Sequence, residues 1–366
     1  MSTAGTATRD GALRALVERS RIVVCTGSGG VGKTTTAAVI ALEAARLGRK
    51  ACVVTIDPAK RLADALGLEG LTNTPSRIDG DWPGELWALM LDTKSTFDAL
   101  VTKNADSPEQ AQGILENRFY RNISGALSGT QEYMAMEKLY ELHDEHDFDL
   151  IVVDTPPTRN ALDFLEAPRR LTRFLDHRLY RVLMAPTRGI VKAVNVAAQA
   201  FLRTISKVVG GDVVHDAITF FQSFDGMEQG FKERAASVLE LLTQDDTSFI
   251  LVTAPRRDVV DEAAFFATKL AEADIPVRAL IVNRMHPSFS DASPTAMRER
   301  SRTFAGKDLS GLYENLADFL QVATNEETHL RGLAAKVAPA PVIRVPFLQT
   351  DVHDLDGLGV IAGHLF

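Results

Sequence analysis

The stretch RIVVCTGSGGVGKTTT, residues 21–36, decides the fold of this chain. Its apolar run, residues 22–25, predicts a buried strand, and a glycine-rich turn comes next. Residues Gly27 through Thr34 match the pattern G-x-x-x-x-G-K-[ST], in which a loop between a strand and a helix holds the phosphates of a nucleotide. The stretch therefore predicts a P-loop, with a strand before it and a helix from 33 to about 47 after it.

The residue types of this loop suit a phosphate chain. Backbone N–H groups must approach the anion closely, and glycine has no Cβ to block them. Lys33 can reach the β- and γ-phosphates, the hydroxyl of Thr34 can ligate Mg²⁺, and the helix N-terminus favours an anion. The predicted cofactors are ATP or ADP and Mg²⁺, bound by Gly29, Gly30, Val31, Gly32, Lys33, Thr34 and Thr35. The alternative is a glycine-rich turn that binds no ligand.

Composition narrows the class of protein. The chain has 366 residues, 45% of them hydrophobic, and a net charge of −8, which argues against a general nucleic-acid binder. Cys25 and Cys52 both lie in apolar runs and form neither a disulfide framework nor a metal-binding spacing. No signal peptide and no apolar run of membrane-spanning length is present. We expect a cytoplasmic protein, with peripheral association with a membrane left open.

The pattern of apolar runs predicts an α/β fold with a doubly wound, mainly parallel sheet. Besides 22–25, the predicted strands are 51–56, 86–91, 149–154, 248–253, 277–282 and 342–345. The main predicted helices outside the insertions are 10–20, 33–47, 258–273 and 310–336. We expect one domain, 1–366, interrupted by helical insertions at about 93–145 and 160–245, with a polar break near 104–108 in the first.

Two acidic residues follow buried strands, where ligands bind in open α/β sheets. Asp154 is the predicted magnesium-linked carboxylate, and its alternative role is a surface aspartate that starts a turn. Asp57 can orient or deprotonate the attacking water and, with Thr34 and Asp154, belongs to the predicted metal site; alternatively, Asp57-Pro58 only caps the next helix. Asp57 and Lys33 are the predicted catalytic residues. Thr158 can sense the γ-phosphate, unless the two prolines before it only make a rigid turn.

Three motifs together resemble the ArsA-like ATPases, which are P-loop proteins with a deviant Walker A loop. They are GGVGKTTT, DPAKRLADALG at 57–67 and DLIVVDTPPTRNALDFLEAP at 149–168. The family includes the arsenite-pump ATPase and the ATPase that targets tail-anchored membrane proteins. The resemblance implies a Mg²⁺-dependent ATPase that switches as a dimer, coupled to a membrane-protein or anion-transport-related process.

The resemblance also implies roles for individual residues. Asp57 positions the hydrolytic water, and Asp154 is linked to Mg²⁺. Residues 155–160 form the second switch. Asn283 reads the adenine, and the loop PFLQTD, which begins at Pro346, forms the other wall of the base pocket. Without the resemblance, Asn283 is a turn residue at a strand end.

Ser28 stands where the family carries its signature lysine. That lysine reaches across a dimer to the partner's phosphates, and serine is too short and uncharged to do so. The chain is therefore expected to pair with a lysine-bearing paralogue as a heterodimer, or to hydrolyse ATP slowly. A further possibility is a weakly active partner subunit that regulates this paralogue. Alternatively, Arg159 or Lys60 supplies the missing cation.

Other departures concern metals and the second switch. The sequence PTRNAL places Arg159 and Asn160 where family members often have Gly-His, which leaves the switch mechanics open. No CxxC is present, so the zinc that joins the targeting ATPase dimer is not expected. The cysteine sites that bind arsenite are missing too, and a trivalent metalloid requires soft thiolates.

The second helical insertion offers a possible client site. Apolar residues at helical spacing form a stripe that either packs in the core or lines a groove for a hydrophobic client; they are Ile190, Val191, Val194, Ala197, Ala198, Phe201 and Leu202. Met134, Met136 and Met184 are candidates for lining this groove. A basic cluster, Arg169, Arg170, Arg173, Arg178 and Arg181, is expected to be a solvated face, with an acidic partner or lipid as the alternative. A positioning ATPase of the ParA or MinD type is disfavoured, since no basic amphipathic helix ends the chain.

Overall fold

The computed structural model describes residues 10–57, 59–118, 120, 130–156, 161–176, 216, 218–220, 222–223 and 226–366. Its centre is an eight-stranded sheet in the order β3-β4-β2-β5-β1-β6-β7-β8. Every neighbouring pair is parallel except β3 with β4. The strands are β1 (Ile22–Thr26), β2 (Lys50–Thr55), β3 (Ser76–Ile78), β4 (Glu85–Met90), β5 (Leu150–Asp154), β6 (Thr247–Thr253), β7 (Val277–Met285) and β8 (Val342–Pro346). The α/β prediction is confirmed.

Helices connect the strands. In the described residues they are α1 (Asp10–Arg19), α2 (Lys33–Arg46), α3 (Arg61–Ala65), α4 (Thr93–Asn104), α5 (Pro108–Glu116), α6 (Thr130–Glu145), α7 (Ala161–Asp176), α8 (Glu228–Thr243), α9 (Arg257–Glu272), α10 (Pro294–Thr303), α11 (Asp308–Val337) and α12 (Leu355–Leu365). Several begin with the side-chain caps that their sequences predict. Asp92 accepts a hydrogen bond from Ser95 N at the start of α4, and Ser107 does the same for Gln110 N at α5.

The position of β1 places the P-loop at the middle of the sheet. The strand lies between β5 and β6, and all five of its residues are buried. Strands buried on both faces read as continuous apolar runs, which is why residues 22–25 predicted this one. Because β1, β2, β5 and β6 are parallel, their carboxyl ends meet at one edge. The register pairs Asp154 with Cys25 on one side and with Thr55 on the other.

The chain divides into two compact units. The first comprises residues 1–90, 147–162 and 245–366 and holds the sheet. The second comprises 91–146 and 163–244, and its described elements are helices only. In the first insertion a break between α4 and α5, at 105–107, is close to the predicted position.

Some elements differ from the sequence-based predictions. Strand β3 and helices α10 and α12 were not predicted, because they are short or lack a clear apolar period.

Met134 and Met136 are fully buried, so the prediction that they line an open groove is wrong. They pack in the core because residues 133–139 of α6 are all buried, so this part of the helix is enclosed on every side.

Several predictions lie outside the described residues. They concern the stripe at 190–202, Met184, Arg178 and Arg181. Arg169, Arg170 and Arg173 are exposed on α7, as a solvated face requires. No helix in the described part of the chain has the length and apolarity needed to cross a membrane.

Candidate functional site

The loop between β1 and α2 has a backbone that requires glycine. Gly27 has φ 151°, and a Cβ on it would lie 2.0 Å from the carbonyl oxygen of Val252. Gly32 has φ 94°, and a Cβ on it would lie 2.2 Å from Nδ2 of Asn283. Both values are in the left-handed region, where residues with a Cβ are strained. The loop is therefore built around close contacts of its backbone with β6 and β7.

Helix α2 begins with free amides. Its N-cap residue is Gly32, no side chain caps it, and its first turn has no acidic residue. The first amides of a helix have no partner within the helix, so at this end they are available to an anion. The helix dipole favours the same charge.

Lys33 directs its ammonium into the loop. Its Nζ donates a hydrogen bond to the carbonyl oxygen of Ser28 at 2.8 Å, and the side chain is only 6% exposed. Burial lowers the pKa of Lys33, while the charges of Asp154 and Asp57 act in the opposite direction. The two carboxylates compensate the burial of the ammonium only in part. An anion bound in this loop would supply the remaining negative charge.

Asp154 is buried beside two hydroxyls. Oγ1 of Thr34 and Oγ1 of Thr55 donate to its Oδ2 at 2.8 and 2.9 Å. Its Oδ1 is buried and has no hydrogen-bond partner. Burial raises the pKa of Asp154 to about 6, which the two hydroxyl donors and Lys33 oppose. The alternative of a surface aspartate is therefore wrong.

The residues around Asp154 fit a magnesium ion. Hydroxyl and carboxylate oxygens are the ligands that Mg²⁺ prefers, and it binds through one or two carboxylates together with substrate phosphates. Thr34 and Asp154 offer one hydroxyl and one buried carboxylate oxygen without a partner. In the described residues no group of three or more His, Cys, Asp or Glu side chains is placed to hold a metal. Thr34 and Asp154 would thus hold the ion next to the phosphates, where it neutralises their charge.

Replacing Asp154 with asparagine is expected to change the pH dependence of stability in protein free of nucleotide and metal. The pKa of this carboxyl is raised from 3.8 to about 6 on folding, so the folded state holds the proton more tightly. The contribution of this carboxyl to the free energy of unfolding is therefore largest below pH 4. It falls by about 3 kcal/mol as the pH rises from about 4 through 6. Asparagine has no charge to bury and lacks this loss.

Thermal midpoints measured in EDTA from pH 4 to pH 8 test this expectation. The midpoint of Asp154→Asn should rise relative to the wild type as the pH increases. Asp149→Asn is the matched control, because Asp149 precedes the same strand but is exposed. A wild-type-to-variant difference that stays constant over this pH range contradicts the expectation.

Asp57 lies at the mouth of the site and is half-buried. Its Oδ1 accepts from Ala59 N at 3.0 Å, and Nη1 of Arg61 lies 3.3 Å from its Oδ2. Helix α3 starts four residues further on, with Lys60 as its N-cap and no side-chain cap. Asp57 therefore does not cap α3, and the alternative role considered for it is wrong.

These elements surround one cavity of about 650 Å³ in the first unit. Its lining includes the predicted residues Gly30, Gly32, Lys33, Thr34, Thr35, Asp57, Asn283 and Pro346, together with Arg61, Thr155, Arg284, Phe347 and Leu348. Gly29, Val31 and the buried Asp154, all described, are not part of the lining. The volume of the cavity is in the range of small-molecule sites, and most of its lining residues are polar, as a charged ligand requires.

Asn283 is brought to the P-loop by an irregularity in β7. The β7–β8 register shifts between Val282 and Met285, and Arg284 has φ 60°. Bulges of this kind redirect side chains next to active sites. Nδ2 of Asn283 donates to the carbonyl oxygen of Val31 at 3.0 Å, and Nη1 of Arg284 donates to that of Gly30 at 3.2 Å. The adenine-reading role of Asn283 stays a prediction.

Ser28 is buried and already hydrogen-bonded. It is 6% exposed, and its Oγ donates to Oε2 of Glu262 on α9 at 2.7 Å. Of the residues considered as substitutes for a lysine here, Lys60 does not line the cavity, and Arg159 lies outside the described residues.

The start of the predicted second switch is anchored to β1. Both the backbone N and Oγ1 of Thr155 donate to the carbonyl oxygen of Cys25, at 3.3 and 2.9 Å. Thr155 also lines the cavity. The prediction that Thr158 senses the γ-phosphate falls outside the described residues.

Sequence reasoning missed Thr55, Glu262 and Arg61. Thr55 precedes Asp57 by two residues at a strand end, where a polar residue in an apolar run was a usable signal. Arg61 lies within the motif at 57–67. Nothing in the sequence connects Glu262 with Ser28, since 234 residues separate them.

Comparison with known proteins agrees with this geometry. A family model described as "Anion-transporting ATPase" (ArsA_ATPase) matches residues 20–334. The ATPase ASNA1 homolog of Dictyostelium discoideum is 25% identical over 297 residues, which are 81% of this chain and 82% of that protein. The ATPase GET3C of Arabidopsis thaliana is 25% identical over 361 residues, 93% and 81% of the two chains. The putative arsenical pump-driving ATPase 1 of Aquifex aeolicus is 21% identical over 355 residues, 93% and 78%.

Proposed function

This chain belongs to the ArsA-type family of anion-transporting ATPases, and on that premise we propose that it is a Mg²⁺-dependent, dimeric switch ATPase. Its activity as an ATPase follows from the family. Beyond this activity, we propose that the protein depends on Mg²⁺ and works as a dimer. We also propose that it acts in the cytoplasm and that its ATPase cycle is coupled to a membrane-protein or anion-transport-related process. The names of the relatives, one a pump-driving ATPase, support this coupling.

One observation carries the proposal. Asp154 accepts from the Thr34 hydroxyl through Oδ2 and keeps a buried, unpartnered Oδ1, and Thr34 lies in the first turn of a helix whose first amides are uncapped. A magnesium-bound nucleotide would fit these groups: the amides and Lys33 would hold the phosphates, and Thr34 and Asp154 would hold the ion, which would neutralise phosphate charge.

Asp57 is the proposed residue for handling the attacking water. Its carboxylate lines the cavity and keeps a fixed orientation through Ala59 N and Arg61. A carboxylate held at the mouth of a phosphate site can accept a proton from water or orient it in line with the phosphorus. Lys33 stabilises the negative charge of the transferring phosphoryl group.

The alternative function is a weakly active subunit that pairs with a lysine-bearing paralogue. Ser28 supports it in two ways. Its side chain is short and uncharged, and its hydroxyl is hydrogen-bonded to Glu262 within the same chain. A short serine side chain that is hydrogen-bonded within its own chain does not reach a partner's phosphates. A homodimer therefore lacks one cation at each of its two sites.

ATP turnover together with light-scattering mass tests both functions. The proposed ATPase requires Mg²⁺-dependent turnover that EDTA abolishes, and a mass that reports a dimer with ATP. If the chain alone is inert and a lysine-bearing paralogue restores turnover in a complex of both chains, the alternative is correct. A monomeric, rapid, Mg²⁺-independent ATPase contradicts both.

Restoring the lysine at position 28 is expected to accelerate turnover, but only after its internal partner is removed. In Ser28→Lys the new ammonium meets Glu262, whose Oε2 lies 2.7 Å from the present hydroxyl, and forms an ion pair in the same chain. In the double variant with Glu262→Gln the lysine is free to reach the partner. We expect the double variant to be at least about tenfold faster than wild type, because a trans cation is worth far more than this in other phosphoryl-transfer enzymes.

The single variants are the controls. Glu262→Gln alone should bring no acceleration, and Ser28→Lys alone should bring less than the double variant. Equal turnover in all four proteins would show that no lysine is missing at this site and that another group replaces it.

A further inference from the structure

An aromatic ring forms part of the cavity wall just after β8. Phe347 follows Pro346 and lines the cavity, and its side chain is 57% exposed. Its backbone N donates to the carbonyl oxygen of Met285 at 2.8 Å, so the end of β7 holds its backbone. An exposed phenylalanine ring in a polar cavity is a surface that a flat aromatic ligand can cover.

The ring of Phe347 also packs against a histidine. The rings of Phe347 and His286 are nearly parallel, at 7°, with centroids 5.9 Å apart. This is an offset stack, one of the preferred geometries of aromatic pairs. His286 is not part of the cavity lining, so the cavity meets the ring of Phe347 and not that of the histidine.

Helix α11 holds the histidine in turn. Glu326, which is buried, uses both carboxylate oxygens for this one residue. Its Oε2 accepts from the backbone N of His286 at 2.9 Å, and its Oε1 accepts from the ring Nδ1 at 2.6 Å. Two hydrogen bonds, one to the main chain and one to the ring, determine both the position and the plane of the imidazole.

We propose that Glu326 and His286 are positioning residues that hold Phe347 as a rigid wall for the nucleobase. This rests on the proposed function, which puts the phosphates on the P-loop, and on the predicted base pocket between Asn283 and the loop that begins at Pro346. The base stacks on the exposed part of the Phe347 ring, and the offset contact with the imidazole restrains that ring. Preorganisation of the ring saves the entropy of ordering it on binding, so affinity for the base part of the ligand depends on residues that never touch it.

Binding of Mg²⁺–ADP and of Mg²⁺–pyrophosphate, measured by calorimetry, separates the base from the phosphates. Phe347→Ala is expected to weaken ADP binding about tenfold or more, the range found for loss of one base–aromatic stack. His286→Ala should weaken it several-fold. Neither change should alter pyrophosphate binding by more than about twofold, because pyrophosphate has no base to stack.

A double-mutant cycle tests whether His286 acts through Phe347. If it does, His286→Ala has no further effect on ADP binding in the Phe347→Ala background. Conservative variants test the role of Glu326. Glu326→Gln keeps an acceptor for the backbone N and a donor for the other ring tautomer, so it should bind ADP like the wild type. Glu326→Leu, of similar size, should behave like His286→Ala.

The outcomes are distinct. Additive effects in the cycle, equal losses for pyrophosphate and ADP, or wild-type affinity in His286→Ala would each overturn the positioning role. Thermal midpoints of every variant are recorded, and His286→Asn, which keeps the hydrogen bond to Glu326 without the ring, replaces the alanine variant if that fails to fold. Failure of the wild type to bind either ligand would instead overturn the proposed function.

Discussion

Replacing Asp57 with asparagine is expected to lower kcat for ATP hydrolysis by about a thousandfold while the affinity for ATP changes less than about threefold. The isosteric amide keeps an oxygen that can accept from Ala59 N, so the loop retains its shape. It removes the charge that accepts a proton from water, and general-base catalysis contributes typically 10²- to 10⁴-fold. A loss confined to kcat is the signature of an interaction made only in the transition state.

Steady-state turnover with saturating Mg²⁺–ATP, alongside equilibrium binding of ATP, checks this expectation. Asp79→Asn is the control, since Asp79 is an exposed aspartate of the same unit and does not line the cavity. If Asp57→Asn retains more than a tenth of the wild-type kcat, Asp57 does not act on the water and a residue of the second switch must do so.

The second large effect is expected at Lys33. Its replacement by methionine, which keeps the length of the chain, should weaken ATP binding about a hundredfold and lower kcat by 10²- to 10³-fold. The ammonium is buried in the loop, 2.8 Å from the carbonyl oxygen of Ser28, in a setting where one charge contact with a phosphate is scarcely screened by solvent. Removing a single preorganised donor to a developing negative charge costs 10²- to 10³-fold elsewhere.

Binding and single-turnover rates separate the two parts of this loss. Lys307→Met is the control, because Lys307 is an exposed lysine remote from the cavity lining. The midpoint of thermal unfolding without nucleotide should stay within a few degrees of the wild type. Normal ATP binding by Lys33→Met would show that the phosphates bind elsewhere than in this loop.

Local signals predicted much of the chain. The P-loop, helix α2 and the buried strands β1, β2 and β5 were predicted with boundaries that differ by at most one residue from the structure. Each of these is encoded by neighbouring residues: an apolar run for a strand buried on both faces, a glycine where the backbone must be left-handed. Strand β3, with three residues, and helix α10, which is strongly polar, have no such period and were missed.

The candidate site shows the same division. Lys33 and Thr34 were identified by the P-loop pattern, and Asp57 and Asp154 by their positions at the ends of apolar runs. Their environments do not follow from these signals. The unpartnered oxygen of Asp154, the stack of His286 on Phe347 and the hydrogen bond from Ser28 to Glu262 join residues from different elements, and no local pattern relates them.

The sequence by itself determined the fold class, the phosphate loop and the missing lysine at Ser28, because each is a matter of which residue stands at which place in a local motif. Only the tertiary structure decided what Ser28 contacts, that Asp154 is buried with its pKa raised, and which ring walls the cavity. Burial and contact between distant segments depend on strand order and register. These arise from packing of the whole sheet and are not written in any single stretch of the chain.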